Sequence, residues 1–242
     1  MLRRYALNNQ LLDHPNARSS HQQATPRGGG AAFVVAFLLL LPLLYLQNQL
    51  PGKLLYALWG SGALVALIGF ADDHRSLPAH WRLAGHATAA VWALHWLNGL
   101  PLLHFGSFSL ELGLYGWLIG LLGLIWLLNL YNFMDGIDGI ASLQAITVAV
   151  GALACSFAVG IDDFLLPLLL ATAVSGFLPW NFPKSRIFMG DAGSGFLGIT
   201  LGILMLSAAQ QQPLMLWGWL ILLGVFIVDA SWTLLRRLCR GE

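Results

Sequence analysis

Eight long apolar runs joined by short polar connections leave this chain few ways to fold. The runs cover roughly residues 30–46, 54–70, 83–103, 112–130, 140–159, 164–180, 195–209 and 214–235, and a spanning helix needs about 17 to 25 mainly apolar residues. The expectation is an all-α, polytopic transmembrane helical bundle of about eight spans. The seventh run is the shortest and the weakest candidate. With 57% hydrophobic and 10% charged residues, the composition lies far from that of a soluble domain. The connections are too short to hold a separate soluble unit and no repeat is visible. Residues 1–242 therefore read as one membrane-embedded domain, with 1–29 a cytoplasmic segment and 236–242 a cytoplasmic tail.

Two function classes drop out early. A net charge of +1 and the lack of a basic stripe interleaved with aromatics give no footprint for nucleic acid. Cys155, in an apolar run, and Cys239, in a basic tail, are too few for a disulfide framework or a zinc site. Residues 5–29 are polar and turn-rich where a secretory signal would need its apolar stretch, so the N-terminus is expected to stay in the cytoplasm. Positive charge supports that orientation, because Lys and Arg collect in short cytoplasmic loops. An inside N-terminus places Arg3, Arg4, Arg18, Arg27, Arg75, Arg82, Lys184, Arg186, Arg236, Arg237 and Arg240 inside, and only Lys53 outside.

The same alternation puts four polar clusters on one membrane face: HPNARSSHQQATPRGGG (14–30), ADDHRSLPAHWR (71–82), NLYNFMDGIDG (129–139) and NFPKSRIFMGDAGSG (181–195). The opposite loops are plainer, and Glu111, Asp162 and Asp163 read as ordinary solvated charges. Asp72 and Asp73 are adjacent like charges where a helix leaves the bilayer, an arrangement that a cation or a partner must neutralise. They also fit a solvated helix end paired with His74 and Arg75. Two carboxylates suit Mg²⁺, which takes oxygen ligands and leaves positions for waters and phosphates, and one of them can accept a proton from a nucleophile.

Asn129, Asn132, Asp135 and Asp138 recur every third residue, with Gly136 and Gly139 allowing close backbone approach. Such a stripe must face a hydrated cavity or a ligand, or serve as polar glue between helices. In FMGDAGSG, three glycines surround Asp191 just before a helix, where exposed N–H groups meet phosphate oxygens and the aspartate can hold a metal. A plain turn into the next span would read the same way. Phe188 offers a flat face for a base. The seven histidines, His14, His21, His74, His80, His86, His95 and His104, show no metal-ligand spacing. His86, four residues beyond Arg82, is expected to face the cytoplasmic cavity and His95, near mid-span, to make a hydrogen-bonded helix contact, and neither is given a catalytic role.

The pieces TPRGGG, GFADD with WRLAGH following, NLYNFMDGIDG and NFPKSRIFMGDAGSGFLG, in this order, resemble the polyprenyl-phosphate N-acetylhexosamine-1-phosphate transferases. That family includes the phospho-MurNAc-pentapeptide translocase of peptidoglycan synthesis and the enzymes that start O-antigen and enterobacterial common antigen. The opening DHPNARSSH…TPRGGG looks more like the O-antigen-initiating branch than the peptidoglycan enzyme. The resemblance implies that undecaprenyl phosphate attacks the β-phosphate of a UDP-N-acetylamino sugar in a bacterial plasma membrane, with Mg²⁺, or Mn²⁺ in its place, giving the lipid diphosphate sugar and UMP. By motif, Asp191 corresponds to the metal ligand, and Asp72 and Asp73 to the pair that binds the lipid phosphate or removes its proton. Asn132 and Asp135 would line the diphosphate and metal region. Asp138 would hydrogen-bond the uracil, Asn181 would contact the nucleotide, and Phe188 would stack on the base. A homodimer is compatible with this scheme.

The family pattern also carries a spanning helix before the DHPN segment and a histidine-containing loop after the last basic stretch. Measured against it, these 242 residues are expected to be short at both ends and weak in transfer. Rival readings are an inactive family fragment, a membrane transporter and a CDP-alcohol phosphotransferase. A transporter would place charges near mid-bilayer, and DGIDGIAS lacks the arginine and the downstream aspartate pair of the CDP-alcohol signature.

Overall fold

A computed structural model describes residues 1–242 except 14, 16–22, 106, 107, 163 and 242. His14, Arg18, His21 and Asp163, all singled out above, lie outside the described residues, as does much of the first polar cluster. After a short helix α1 (Leu2–Asn8), strand β1 (Leu12–Asp13) pairs antiparallel with β2 (Thr25–Pro26), Leu12 opposite Pro26. Helices α2 (Ala31–Leu46), α3 (Gly52–His74) and α4 (Ala79–Leu97) follow, then a ribbon of β3 (Leu103–Phe105) and β4 (Phe108–Leu110). The rest is helical: α5 (Gly113–Met134), α6 (Ile140–Val159), α7 (Leu165–Asn181), α8 (Asp191–Gln211) and α9 (Leu214–Arg240).

The long helices α2 to α9 match the apolar runs one for one. Five of them, α3, α5, α6, α8 and α9, are long and apolar enough to cross a membrane, while α2 and α7 are shorter apolar helices. The 19-residue α4 carries His80, Arg82, His86 and His95 among its apolar residues. It stops at Leu97, not near 103, because Asn98 turns left-handed at φ 58° and releases the chain into the ribbon.

The seventh run, expected as the weakest span, is one of the five helices long and apolar enough to cross. It looked short and weak, yet α8 is the pillar of the bundle: every residue from Ala192 to Ala209 is buried. Helices α2, α3, α4, α5, α6 and α9 all pack on it. Its small residues explain both facts. They lower its apolar signal, and they let neighbours approach until backbones touch, which drives helix association where lipid is as apolar as the side chains. A Cβ on Gly198 would sit 2.6 Å from the Leu127 carbonyl oxygen of α5, and one on Gly69 of α3 would collide with the Asp191 backbone. By contrast, α9 buries one stripe, Met215, Trp219, Leu223, Phe226 and Ala230. Ile221, Val225, Val228 and Trp232 remain exposed on its other side. That outer side is the kind of surface lipid covers.

Candidate active site

The parts of the four clusters that are described converge at one end of the bundle, around the start of α8. Gly69 lets the last turn of α3 lie against that start, which brings Asp73 under the first amides of α8. The Asp73 carboxylate accepts from Asp191 N at 3.1 Å and from Ala192 N at 3.4 Å. Asp73 therefore caps a helix that has no side-chain cap of its own, and its charge complements the positive end of the α8 dipole. Gly190 enters the turn at φ +79°, where a Cβ would press on Asp73 Oδ2 at 2.7 Å. Arg27, in TPRGGG, ties the arrangement from outside. Its guanidinium donates to the Asp73 carbonyl at 2.7 Å and the Asp72 carbonyl at 3.3 Å, and lies 3.7 Å from the Asp73 carboxylate.

Asp72 points the other way. Its Oδ2 accepts from Arg82 at 2.9 Å and its Oδ1 from the Leu77 amide at 2.6 Å. It lies close enough to the Asp191 carboxyl for each to affect the other's ionisation. On the far side of Asp191, the Asn132 amide donates to Asp191 Oδ1 at 2.7 Å and to Ser194 Oγ at 3.2 Å. Asp72 and Asp73 are only 6% and 3% exposed, so these carboxylates crowd into a space that water reaches poorly. Asp135, just past the end of α5, belongs to the same group. Burial, then the charges of Asp191, Asp73 and Asp138, push its carboxyl well above the usual carboxylate range.

Facing carboxylates that repel unless something positive lies between them fit a divalent cation. Among the described residues, no three His, Cys, Asp or Glu side chains converge as a metal-holding set. One or two carboxylates are the protein share that Mg²⁺ commonly takes, with substrate phosphates completing the shell.

A second polar group lies beside the first and has a different character. Asn181, at the end of α7, is 2% exposed. Its Oδ1 accepts from the Gly139 amide at 3.1 Å, and its Nδ2 donates to Ser185 Oγ at 3.1 Å and the Ile187 carbonyl at 3.3 Å. Its amide is committed within the protein, so the geometry gives it the work of holding a loop and leaves little of it to meet a nucleotide. Asp138 accepts from the Ser185 amide at 3.0 Å and is half-buried. Phe188, also half-buried, is placed by its backbone: its N–H donates to Pro26 O at 2.8 Å and its carbonyl accepts from Gly29 N at 2.9 Å. Asn129 bonds back to the Ile125 carbonyl at 2.7 Å.

Asp191, Asn132 and Asn129 line a cavity of about 340 Å³ bounded by residues of α3, α4, α5, α8 and α9. Arg82, His86 and Arg237 share its wall with apolar Trp126, Leu130 and Phe133. Arg27 and Arg82 stand in the pieces TPRGGG and WRLAGH, but like Arg237 they were given no role in the site beyond inside charge. Position in TPRGGG and spacing from DD were the available signals for the first two. Nothing local marks Arg237, which reaches the site because α9 returns to it.

Residues 55–209 match the pattern of glycosyl transferase family 4. The decaprenyl-phosphate N-acetylglucosaminephosphotransferase of Mycolicibacterium smegmatis is 30% identical, over 81% of this chain and 53% of the relative. The undecaprenyl-phosphate alpha-N-acetylglucosaminyl 1-phosphate transferase of Pasteurella multocida is 34% identical, over 96% of this chain and 67% of the relative. A probable undecaprenyl-phosphate N-acetylglucosaminyl 1-phosphate transferase of Bacillus subtilis is 28% identical over the whole chain and 68% of the relative. The chain spans about half the length of the mycobacterial relatives it matches. A match running from α3 to the end of α8 takes in the helices that carry Asp72, Asp73, Asn132 and Asp191 and the loops between them, and on that ground this multi-pass membrane chain belongs to glycosyl transferase family 4.

Proposed function

We propose that this protein transfers an N-acetylamino-sugar 1-phosphate from a UDP-sugar to undecaprenyl phosphate in a bacterial plasma membrane, releasing UMP on the cytoplasmic side. The observation that carries the reading is Asp191, held by Asn132 in the wall of a largely apolar cavity, with Asp72 beside it and tied to Arg82 of the same wall. One substrate is water-soluble and the other a lipid, so the reacting atoms must meet where a charged site opens beside a greasy wall. The positive-inside bias supports a cytoplasmic face, and the relatives' printed activities on polyprenyl phosphates support the acceptor.

In this reaction an oxygen of the lipid phosphate attacks the β-phosphorus of the donor. A new P–O bond forms, the bond from that phosphorus to the bridging oxygen breaks, and UMP leaves with the electron pair. Asp191, with Asp72 beside it, would hold Mg²⁺, which would supply positive charge for the diphosphate and the leaving UMP. Asp72, fixed by Arg82 and the Leu77 amide, takes the proton from a protonated lipid phosphate. Asp73 holds the start of α8 in place, so that Asp191 and the small residues after it face the donor phosphates. Asn132 fixes the rotamer of Asp191, and Asp135 adds a further acceptor beside it. Asp138 presents its carboxylate to the uracil, Phe188 supplies a face for the ring, and Asn181 keeps their loop closed.

The test is incubation of membranes carrying the intact protein with UDP-N-acetylglucosamine labelled in the β-phosphate, undecaprenyl phosphate and Mg²⁺. Label in the lipid extract together with equimolar UMP is the expected result. UMP without labelled lipid, or no UMP at all, overturns the reading.

A further inference from the structure

Arg27, Arg82 and Arg237 all reach the polar end of the bundle, but their charges are not spent alike. Arg27 lies 3.7 Å from the Asp73 carboxylate, and Arg82 donates to Asp72 at 2.9 Å. Among the described residues, Arg237 pairs with no carboxylate. Its guanidinium lies over the Phe133 ring, 6.0 Å from the centre. A ring takes the flat face of a guanidinium and leaves the N–H donors, which lie in its plane, free to grip an oxyanion.

The helix aims that group. Ala230, Thr233, Leu234 and Arg237 line the cavity beside Asp191 from one face of α9, at the i, i+3, i+4, i+7 spacing of a helix. Arg236 and Arg240, equally basic and on the same last turns, are not among the lining residues. An ordinary inside charge has no need of that face. Asp191, in the same wall, is held by the Asn132 amide and by no arginine. A phosphate entering here therefore meets carboxylates whose arginines are already committed, and it needs a cation that is not.

We infer, on the reading of the site proposed above, that Arg237 is the cation that binds a substrate phosphate in this cavity. The diphosphate of the donor and the phosphate of the lipid acceptor offer it the same chemistry, oxygens that parallel N–H groups can hold in a fork. Arg237 stays charged at any working pH, so it binds and orients the phosphate and moves no proton.

The test is calorimetric binding to the intact protein in detergent, with Mg²⁺ present, comparing UDP with uridine and farnesyl phosphate with farnesol. The members of each pair differ only in phosphate. Arg237→Gln should weaken UDP, farnesyl phosphate or both about tenfold, the loss of a hydrogen bond between charged groups, and leave uridine and farnesol unchanged. Arg237→Lys, which keeps the charge without the fork, should fall between Gln and wild type. Arg236→Gln, the same change of charge outside the cavity, should bind as wild type does. A loss with UDP alone places the guanidinium on the donor, with farnesyl phosphate alone on the acceptor, and with both between them. Unchanged affinity for both phosphorylated ligands overturns the assignment. So does an equal loss for uridine or farnesol, the same loss in Arg236→Gln, or wild-type protein that binds neither phosphorylated ligand. Phosphate binding that depends on Arg237, in a protein that transfers no sugar phosphate, would sink the proposed reaction and leave the phosphate site standing.

Discussion

The polar groups around Asp191 and those around Asn181 sit on neighbouring elements at one end of the bundle, yet their accounts differ. Around Asp191, carboxylates face one another and lean on Arg82, Arg27 and Asn132, with a cavity at their side. Around Asn181, each amide atom has a partner inside the protein and the side chain is sealed from solvent. Unbalanced charge is costly in a poorly hydrated place, so the first group makes sense only when a ligand completes it. The Asn181 amide is complete already within the protein. Sequence alone could not separate them, because asparagines and aspartates in polar clusters look alike until their partners are known.

The sharpest way to break this contrast is Asp191→Asn. It should lower transfer by at least about a hundredfold, the usual scale for removing a group that stabilises transition-state charge, while thermal stability in detergent holds or rises. Near-normal turnover would show that the facing carboxylates are not the chemical centre. Asn181→Ala should do the reverse. It strands the Gly139 amide, the Ser185 hydroxyl and the Ile187 carbonyl, and a buried group left unpaired costs about 1 to 3 kcal/mol. A lowered melting temperature is expected, with residual protein still competent to turn over. Full stability with lost donor affinity would instead make Asn181 a direct nucleotide contact.

Phe188→Ala should raise KM for the UDP-sugar about tenfold, in line with the roughly 1 to 3 kcal/mol of a base stacked on an aromatic ring, and change kcat less, because stacking is made in both ground and transition states. An unchanged KM would assign Phe188 to packing. The smallest effect is expected at Asp135. A carboxyl whose pKa rises on folding stabilises the fold below the ordinary carboxylate range, and that contribution is lost as pH climbs toward the folded pKa. At neutral pH the wild type bears the cost, so Asp135→Asn should melt slightly higher than wild type, by more at pH 8 than at pH 5. A gain independent of pH would remove the electrostatic account of the charged group.

Much of the fold was legible because the membrane imposes a strong rule: apolar runs of this length with at most one charge become helices, and all eight did. The run with the weakest signal, 195–209, shows where the rule weakens. Its glycines, alanines and serine diluted the apolar signal that hydropathy reads, while the same residues made α8 the most buried helix in the bundle. Of the site, Asp72, Asp73, Asn132, Asp135 and Asp191 were all marked by their clusters. The division of labour between Asp72 and Asp73 was not. They are adjacent in sequence, but successive side chains on a helix point about 100° apart. One therefore meets Arg82 and Asp191, and the other caps α8.

What this sequence determined by itself is the class of structure, the number of long helices and the end of the bundle where charge collects, because hydropathy and the Lys and Arg bias are local and additive along the chain. Tertiary structure decided which charges stay in conflict and which are answered. That depends on close approaches such as Gly69 against Asp191, between elements more than a hundred residues apart. It also decided that His86 and Arg237 share a wall with Asp191, since only the packing of α4 and α9 around α8 brings those three helices to one cavity.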